Sequence, residues 1–290
     1  MSSFQFSFEA IGTQWTIDVN DLPLDSKQAL LNKIKTRIEL FDRTYSRFRV
    51  DSTLMQISVA GGERTLPEDA ESLFSLYFDL YKITNGAFTP LIGDVLEATG
   101  YDASYSLRIR KPQKPPQWED VIDYNHPQLI LKKSATLDFG AGGKGYLVDI
   151  VSSILTSEGS RSYCVDAGGD IFQKGDNELK IGLENPQNTK QVIGVATIKN
   201  QSICASAGNR RQWGDYHHII DPNSLTSPKN ILATWVVADT GLVADALATC
   251  LFLVSPDTLT PHYKFEYLIM NADATVAKSP HFEAELFYTK

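Results

Sequence analysis

Asp245 and Thr249 stand four residues apart in Ala244-Asp245-Ala246-Leu247-Ala248-Thr249, a carboxylate and a hydroxyl inside an otherwise apolar run. On a helix this spacing puts both oxygens on one side, one turn apart. A buried carboxylate is costly unless it is paired or bound to a metal. Two hard oxygens, completed by a backbone carbonyl, water and a phosphate, suit Mg2+ rather than Zn2+. The other reading is that Asp245 caps the N–H groups of a neighbouring loop. The run itself leaves both standing.

A second candidate is the stretch from Leu137 to Asp149, in which Gly140, Gly142, Gly143 and Gly145 surround Lys144. A short β-prone run, Ala135 to Phe139, precedes it. An apolar-periodic run (Tyr146, Val148, Ile150, Val151, Ile154, Leu155) follows and predicts a helix. Strand, glycine turn and helix start together suit an anion, because the first N–H groups of a helix are unpaired and its dipole favours negative charge. It is not a Walker A loop: Asp138 occupies the first glycine position and Gly145 follows the lysine. Gly140, Gly142 and Gly145 do satisfy a formal Gly-x-Gly-x-x-Gly dinucleotide fingerprint, with a strand from Ser162 to Val165 ending at Asp166. Against that stand the shortness of the leading strand, Asp138 before the turn, and the mid-chain position. A tight turn with no ligand competes with the phosphate reading.

His217-His218-Ile219-Ile220-Asp221-Pro222 offers a base. One histidine on a strand can take a proton while Asp221 holds its other nitrogen. Alternation puts His217 and His218 on opposite faces, so they are not a chelating pair. A core histidine held by hydrogen bonds is the competing reading. The segment Phe41 to Ser52, rich in Arg and hydroxyls, has Phe48 in its middle. It suits a phosphate and a flat ring, or is simply a solvated loop. In Val165-Asp166-Ala167-Gly168-Gly169-Asp170, either aspartate can meet a sugar hydroxyl, and Gly-Gly-Asp is equally good hairpin chemistry.

These groups need positioning elements. Phe4, Phe6 and Phe8, then Trp15 to Val19, alternate as a strand pair or one bent strand, with a bulge expected at Gly12. Asp25 or Ser26 caps a helix reaching about Phe41, with Leu30, Ile34, Ile38 and Phe41 on one face. Pro67 starts a second helix carrying Leu73, Leu76, Tyr77, Leu80 and Tyr81 and ending before Asn85-Gly86. Arg108 to Asn125 reads as loop. Strands are predicted at Leu179–Leu183, Val192–Ile198, Ser202–Ala205 and Trp235–Ala238. Thr240 caps a helix over Gly241 to Leu253. Tyr263 to Tyr288 reads as two closing strands.

The chain has 290 residues and a formal charge of −8, which argues against a nucleic-acid or anionic-membrane surface. Cys164, Cys204 and Cys250 are three in number and lack CxxC spacing, which argues against a disulfide framework or zinc site. No basic, apolar leader opens the chain and no apolar run approaches the ~20 residues of a membrane span, so a cytoplasmic location is expected.

Taken in order, these segments resemble the ApbE-like FAD:protein FMN transferases. The resemblance rests on Asp138 through Lys144-Gly145-Tyr146 with Asp149, Gly168-Gly169-Asp170, His218-Ile219-Ile220-Asp221-Pro222 and above all Ala244 to Thr249. It implies an α+β fold, one ApbE-like domain over residues 1–290 with a tunnelling-fold-like core of antiparallel sheet and packed helices. It implies Mg2+-dependent transfer of FMN from FAD to a Thr or Ser hydroxyl of an acceptor protein with a flavinylation-type motif, releasing AMP. The family's metal ligands fall on Asp245, Thr249 and the backbone oxygen of Ala141. Its FAD contacts fall on Ile11, Phe48, Ala87, Phe88, Thr89, Asp138 and Lys144, and its catalytic histidine on His218.

The chain departs from the family pattern at several points. Phe48 stands for a usual Tyr, Thr53 for a common acidic residue, Thr89 for a usual Asp, and Asn223-Ser224-Leu225-Thr226 for a usual Arg-Thr-Gly. Ser206-Ala207-Gly208-Asn209 follows a usual Ser-Gly-Asp only loosely. These changes bear on the acceptor and on transfer against hydrolysis. The alternatives are a Mg2+-dependent FAD pyrophosphatase, a flavin-binding protein without turnover, and a nicotinamide oxidoreductase.

Overall fold

Alternation along the strands divides the side chains between two apolar cores. On Ile231–Ala238, Val236 and Ala238 enter one core, whereas Ala233, Trp235 and Val237 enter the other. A strand with period two can only do this if both faces of its sheet are covered. The structure, a computed structural model, describes residues 3–287; Met1, Ser2 and Tyr288, the last residue of the expected closing strands, lie outside the described residues.

The central sheet has eight antiparallel strands in sequential order: Phe4–Ala10 (β1), Thr13–Val19 (β2), Tyr163–Ala167 (β3), Ile171–Lys174 (β4), Ser202–Ala207 (β5), Ile231–Ala238 (β6), Glu266–Asn271 (β7) and Val276–Lys278 (β8). Four longer helices are Lys27–Tyr45 (α1), Ala70–Ile83 (α2), Gly143–Ser157 (α3) and Gly241–Cys250 (α4). α3 and α4 pack on each other and on the central sheet. On the other face, Leu183, Ile193, Ala196 and Ile198 of a smaller sheet meet Trp235 and Leu268. A third small sheet joins Gly62–Thr65, Gln128–Leu131 and Ile122–Asn125. The architecture is α+β with antiparallel sheets.

The apolar face expected on α1 is buried, and the helix runs on to Tyr45. The expected cap is absent: Ser26 makes no side-chain bond to the helix, and its hydroxyl donates to the Pro23 carbonyl. Pro67 lies one turn ahead of α2, accepting the Ala70 N–H, rather than starting it. Thr240 caps α4 as expected, accepting the Val243 N–H at 3.3 Å, but the helix ends at Cys250. No bulge forms at Gly12. Ile11 and Gly12, at φ 44° and 73°, make a two-residue hairpin turn between paired Ala10 and Thr13. The expected loop over Arg108 to Asn125 ends in a short helix, Trp118–Val121, and a strand, Ile122–Asn125. Among the described residues no helix is long and apolar enough to cross a membrane.

Two expectations for the glycine stretch are overturned. Residues 135–139 form no ladder; the Asp138 N–H bonds the Pro90 carbonyl at 2.7 Å instead. The strand after α3 is antiparallel to both neighbours, β2 and β4. A dinucleotide fingerprint needs two parallel strands around its helix, so Gly140, Gly142 and Gly145 do not make one here.

Candidate active site

α3 and α4 meet almost backbone to backbone. A Cβ at Gly145 would overlap the Gly241 carbonyl and come within 2.6 Å of the Asp245 Cβ. Gly142 packs on Tyr77, Ala246 and Leu242, which seats the Gly140–Gly143 turn against α4. At the start of α4, Asp149 accepts the N–H groups of Gly241 and Leu242 at 2.7 and 2.8 Å, tying the two helices together. Burial pushes the Asp149 carboxyl up to about 6.

Asp245 is buried, and its Oδ2 accepts the Gly145 N–H at 2.9 Å. An internal carboxylate therefore takes one N–H of the α3 N-terminus that the glycine pattern offered to a phosphate. Burial, then the charge of Asp170, raises the Asp245 pKa well above the carboxylate range, with Lys144 opposing. Thr249 lies on the same side of α4, and its hydroxyl meets Ser206 of β5 at 3.2 Å. The Tyr77 hydroxyl is buried next to the Ala141 backbone and feels both Asp138 and Asp245. Among the described residues no group of three or more His, Cys, Asp or Glu side chains is placed so that it could hold a metal ion. The expected set uses one carboxylate, one hydroxyl and one carbonyl.

Lys144 forms an ion pair with Asp170, which is almost fully buried at the end of the Gly168-Gly169 hairpin turn. Burial works against the Lys144 ammonium, but Asp170 and Asp245 outweigh it and raise its pKa. A Cβ at Gly168 would overlap the Thr13 hydroxyl, so this turn abuts the β1–β2 hairpin that carries Ile11.

Asp138 holds the turn from the other side: its Oδ1 accepts the Gly140 N–H at 2.7 Å, and its Oδ2 pairs with Arg47. The Arg47 guanidinium lies 4.1 Å from the Phe48 ring centroid and 4.8 Å from that of Tyr101. Phe48 is 37% exposed. Tyr105 lies nearly parallel to it at 5.7 Å.

The segment Ala87-Phe88-Thr89 leads into Pro90, whose carbonyl accepts the Asp138 N–H. Phe88 is a core ring packed 4.8 Å from Tyr77, and the Thr89 hydroxyl caps the short helix Pro90–Ile92 by accepting the Leu91 N–H. The Ala87 and Phe88 N–H groups are taken by Thr84, so what these residues offer a ligand is mainly backbone carbonyl.

The two histidines divide as structural and free. His217 is held on three sides: its N–H bonds Ser227, its Nε2 the Pro228 carbonyl, and its Nδ1 accepts the Ile219 N–H. His218 has a buried Nδ1 with no partner. Asp221 holds neither ring; its carboxylate accepts the Asn223 N–H. Burial first, then the nearby Arg211, His217 and Lys144 charges, pushes His218 down to about 3. A histidine whose folded pKa lies below its unfolded value of 6.5 stabilises the fold above 6.5 and loses that contribution as pH falls toward 3. Asp149, raised by burial, acts in the opposite sense. Denaturation of wild type and H218N between pH 7 and pH 4.5 separates the two: wild type should lose more stability on acidification than H218N. Parallel curves would contradict the burial of His218.

Sequence reasoning missed Arg47, Tyr77, Tyr101 and Asp170 as the partner of Lys144. The Arg-rich segment after α1 was visible, but an arginine is ordinarily exposed, and no pattern marks this one as buried.

A family model described as "ApbE family" matches residues 11–264. A FAD:protein FMN transferase of Klebsiella pneumoniae is 22% identical over 272 residues, covering 86% of this chain and 78% of the relative. A second from the same organism is 27% identical over 242 residues, covering 78% and 75%. The crystal structure of the ApbE protein from Thermotoga maritima superposes with a TM-score of 0.86 at 22% identity, covering 98% of this chain and all of that one. The flavin transferase ApbE from Vibrio cholerae gives 0.79 at 20% identity, covering 97% and 98%.

Proposed function

The chain belongs to the ApbE family, and from that premise we propose that it is an enzyme, acting as one domain, that transfers the FMN half of FAD to a Thr or Ser hydroxyl of an acceptor protein, releasing AMP. The observation that carries this is the buried Asp245 carboxyl, seated beside Thr249 and the Gly140–Gly143 turn and displaced far from its ordinary pKa. Burial of that kind is tolerated where a cation compensates it. The donors available, the Asp245 carboxylate, the Thr249 hydroxyl and the Ala141 carbonyl, are hard oxygens that suit Mg2+. When bound, Mg2+ neutralises charge developing on the pyrophosphate oxygens.

The remaining work falls to the chain. Phe48 supplies a partly exposed aromatic ring against which a flat ring can pack. Lys144, held by Asp170, puts a fixed positive charge beside Asp245. His218 is neutral at neutral pH and has a free Nδ1. An anionic ligand beside it raises its pKa toward the range of a general base. In the transfer the acceptor oxygen forms a bond to the FMN phosphorus, the pyrophosphate bond to AMP breaks, and the hydroxyl proton passes to His218.

The test follows the FMN half. The protein is incubated with FAD, Mg2+ and a peptide carrying a flavinylation-type Thr, and the peptide is examined by mass spectrometry. Covalent FMN on the peptide, lost in H218N, supports the reading. Free FMN with unmodified peptide would replace transfer by hydrolysis.

A further inference from the structure

An arginine buried to 3% exposure must have its charge met inside the protein. Arg47 meets it by joining two parts of the site. Its Nε pairs with Asp138, and its Nη1 donates to the Tyr101 carbonyl at 2.9 Å. Its planar group lies against the Phe48 ring. Asp138 in turn holds the Gly140 N–H, one residue before the Ala141 carbonyl. A single guanidinium thus connects the aromatic face to the glycine turn. Lysine, with a point charge in place of a rigid fork, cannot serve all three partners.

The same side chain is not saturated by the protein. Its Nη2 is buried without an acceptor. A purely structural arginine in so enclosed a place would be expected to have its donors filled.

We propose that Arg47 is a positioning residue for the FAD site: it fixes the Phe48 ring and the Asp138–Ala141 turn in one register, so that the flat ring and the pyrophosphate of one FAD molecule are held together. This rests on the reading that FAD is the ligand.

The test is a double-mutant cycle on FAD affinity, measured by flavin fluorescence with melting temperature alongside. R47M and D138N are each expected to weaken FAD about tenfold, and the double variant little more than either, because the two act through one contact. R47K, which keeps the charge, should recover part of the loss. Folding alone would shift the melting temperature without this coupling in affinity. Wild-type affinity in R47M, or losses that multiply to about a hundredfold in the double variant, would overturn the proposal. If R47M does not fold, wild-type affinity in R47K overturns it. No FAD binding by the wild-type protein would sink the functional reading as well.

Discussion

Replacing Asp245 with Asn is expected to lower FAD cleavage by on the order of a thousandfold while leaving the protein at least as stable as wild type. The two effects have one cause. Asp245 is buried among the apolar residues of α4, and burial raises its pKa well above the ordinary value. Its ionisation therefore costs folding energy as pH rises past the unfolded carboxylate range, and an amide removes that cost. The amide oxygen still accepts the Gly145 N–H, so the contact between the two helices survives. What is lost is the negative charge that makes the oxygen a strong ligand for a divalent cation. Thermal melts at pH 8 and AMP release from FAD, measured on the same preparation, check both halves. A D245N variant that is much less stable, or one that keeps its turnover, would contradict this account.

Gly145→Ala is expected to destabilise the protein by about 3 kcal/mol and to abolish FAD binding. Glycine is needed here for space rather than for an unusual φ. The added methyl would meet the Gly241 carbonyl and the Asp245 Cβ, both on α4. Neither can yield easily. Asp149 pins the α4 N-terminus through two N–H groups, and that helix also packs on β5 and β6. Relief must come from separating α3 and α4, which moves Asp245 away from the glycine turn. Urea denaturation and flavin fluorescence measure the two losses. Wild-type stability in G145A would show that the close approach of the helices is not required.

Much of the frame was readable because it follows local rules. The 3.6-residue period marked the buried face of α1, Thr240 marked the start of α4, and the strand predicted at Val192–Ile198 has its correct limits. The spacing of Asp245 and Thr249 predicts one helix for both, and α4 carries both. The two readings of Asp245 also turned out not to exclude each other, since one carboxylate oxygen caps Gly145 within the same site.

The misses share a physical origin in long-range contact. Residues 135–139 look β-prone, yet their N–H groups find partners at Pro90 and Ser58 rather than in a sheet. The glycine pattern resembled a dinucleotide turn because Gly145 is required for helix packing, a demand that leaves the same mark on sequence as closeness to a phosphate. Asp221 was paired with a histidine on proximity in sequence, but its carboxylate turns to its own loop. Arg47 was one arginine among three in its segment, and only the fold shows it joining Phe48 to Asp138.

The most direct test of the central claim is AMP release from FAD by the purified protein, with Mg2+ and with a chelator. The account predicts AMP in the presence of Mg2+, none with the chelator, and full recovery when Mg2+ is restored in excess. AMP release that is indifferent to the chelator, or FAD left intact in every condition, would contradict it.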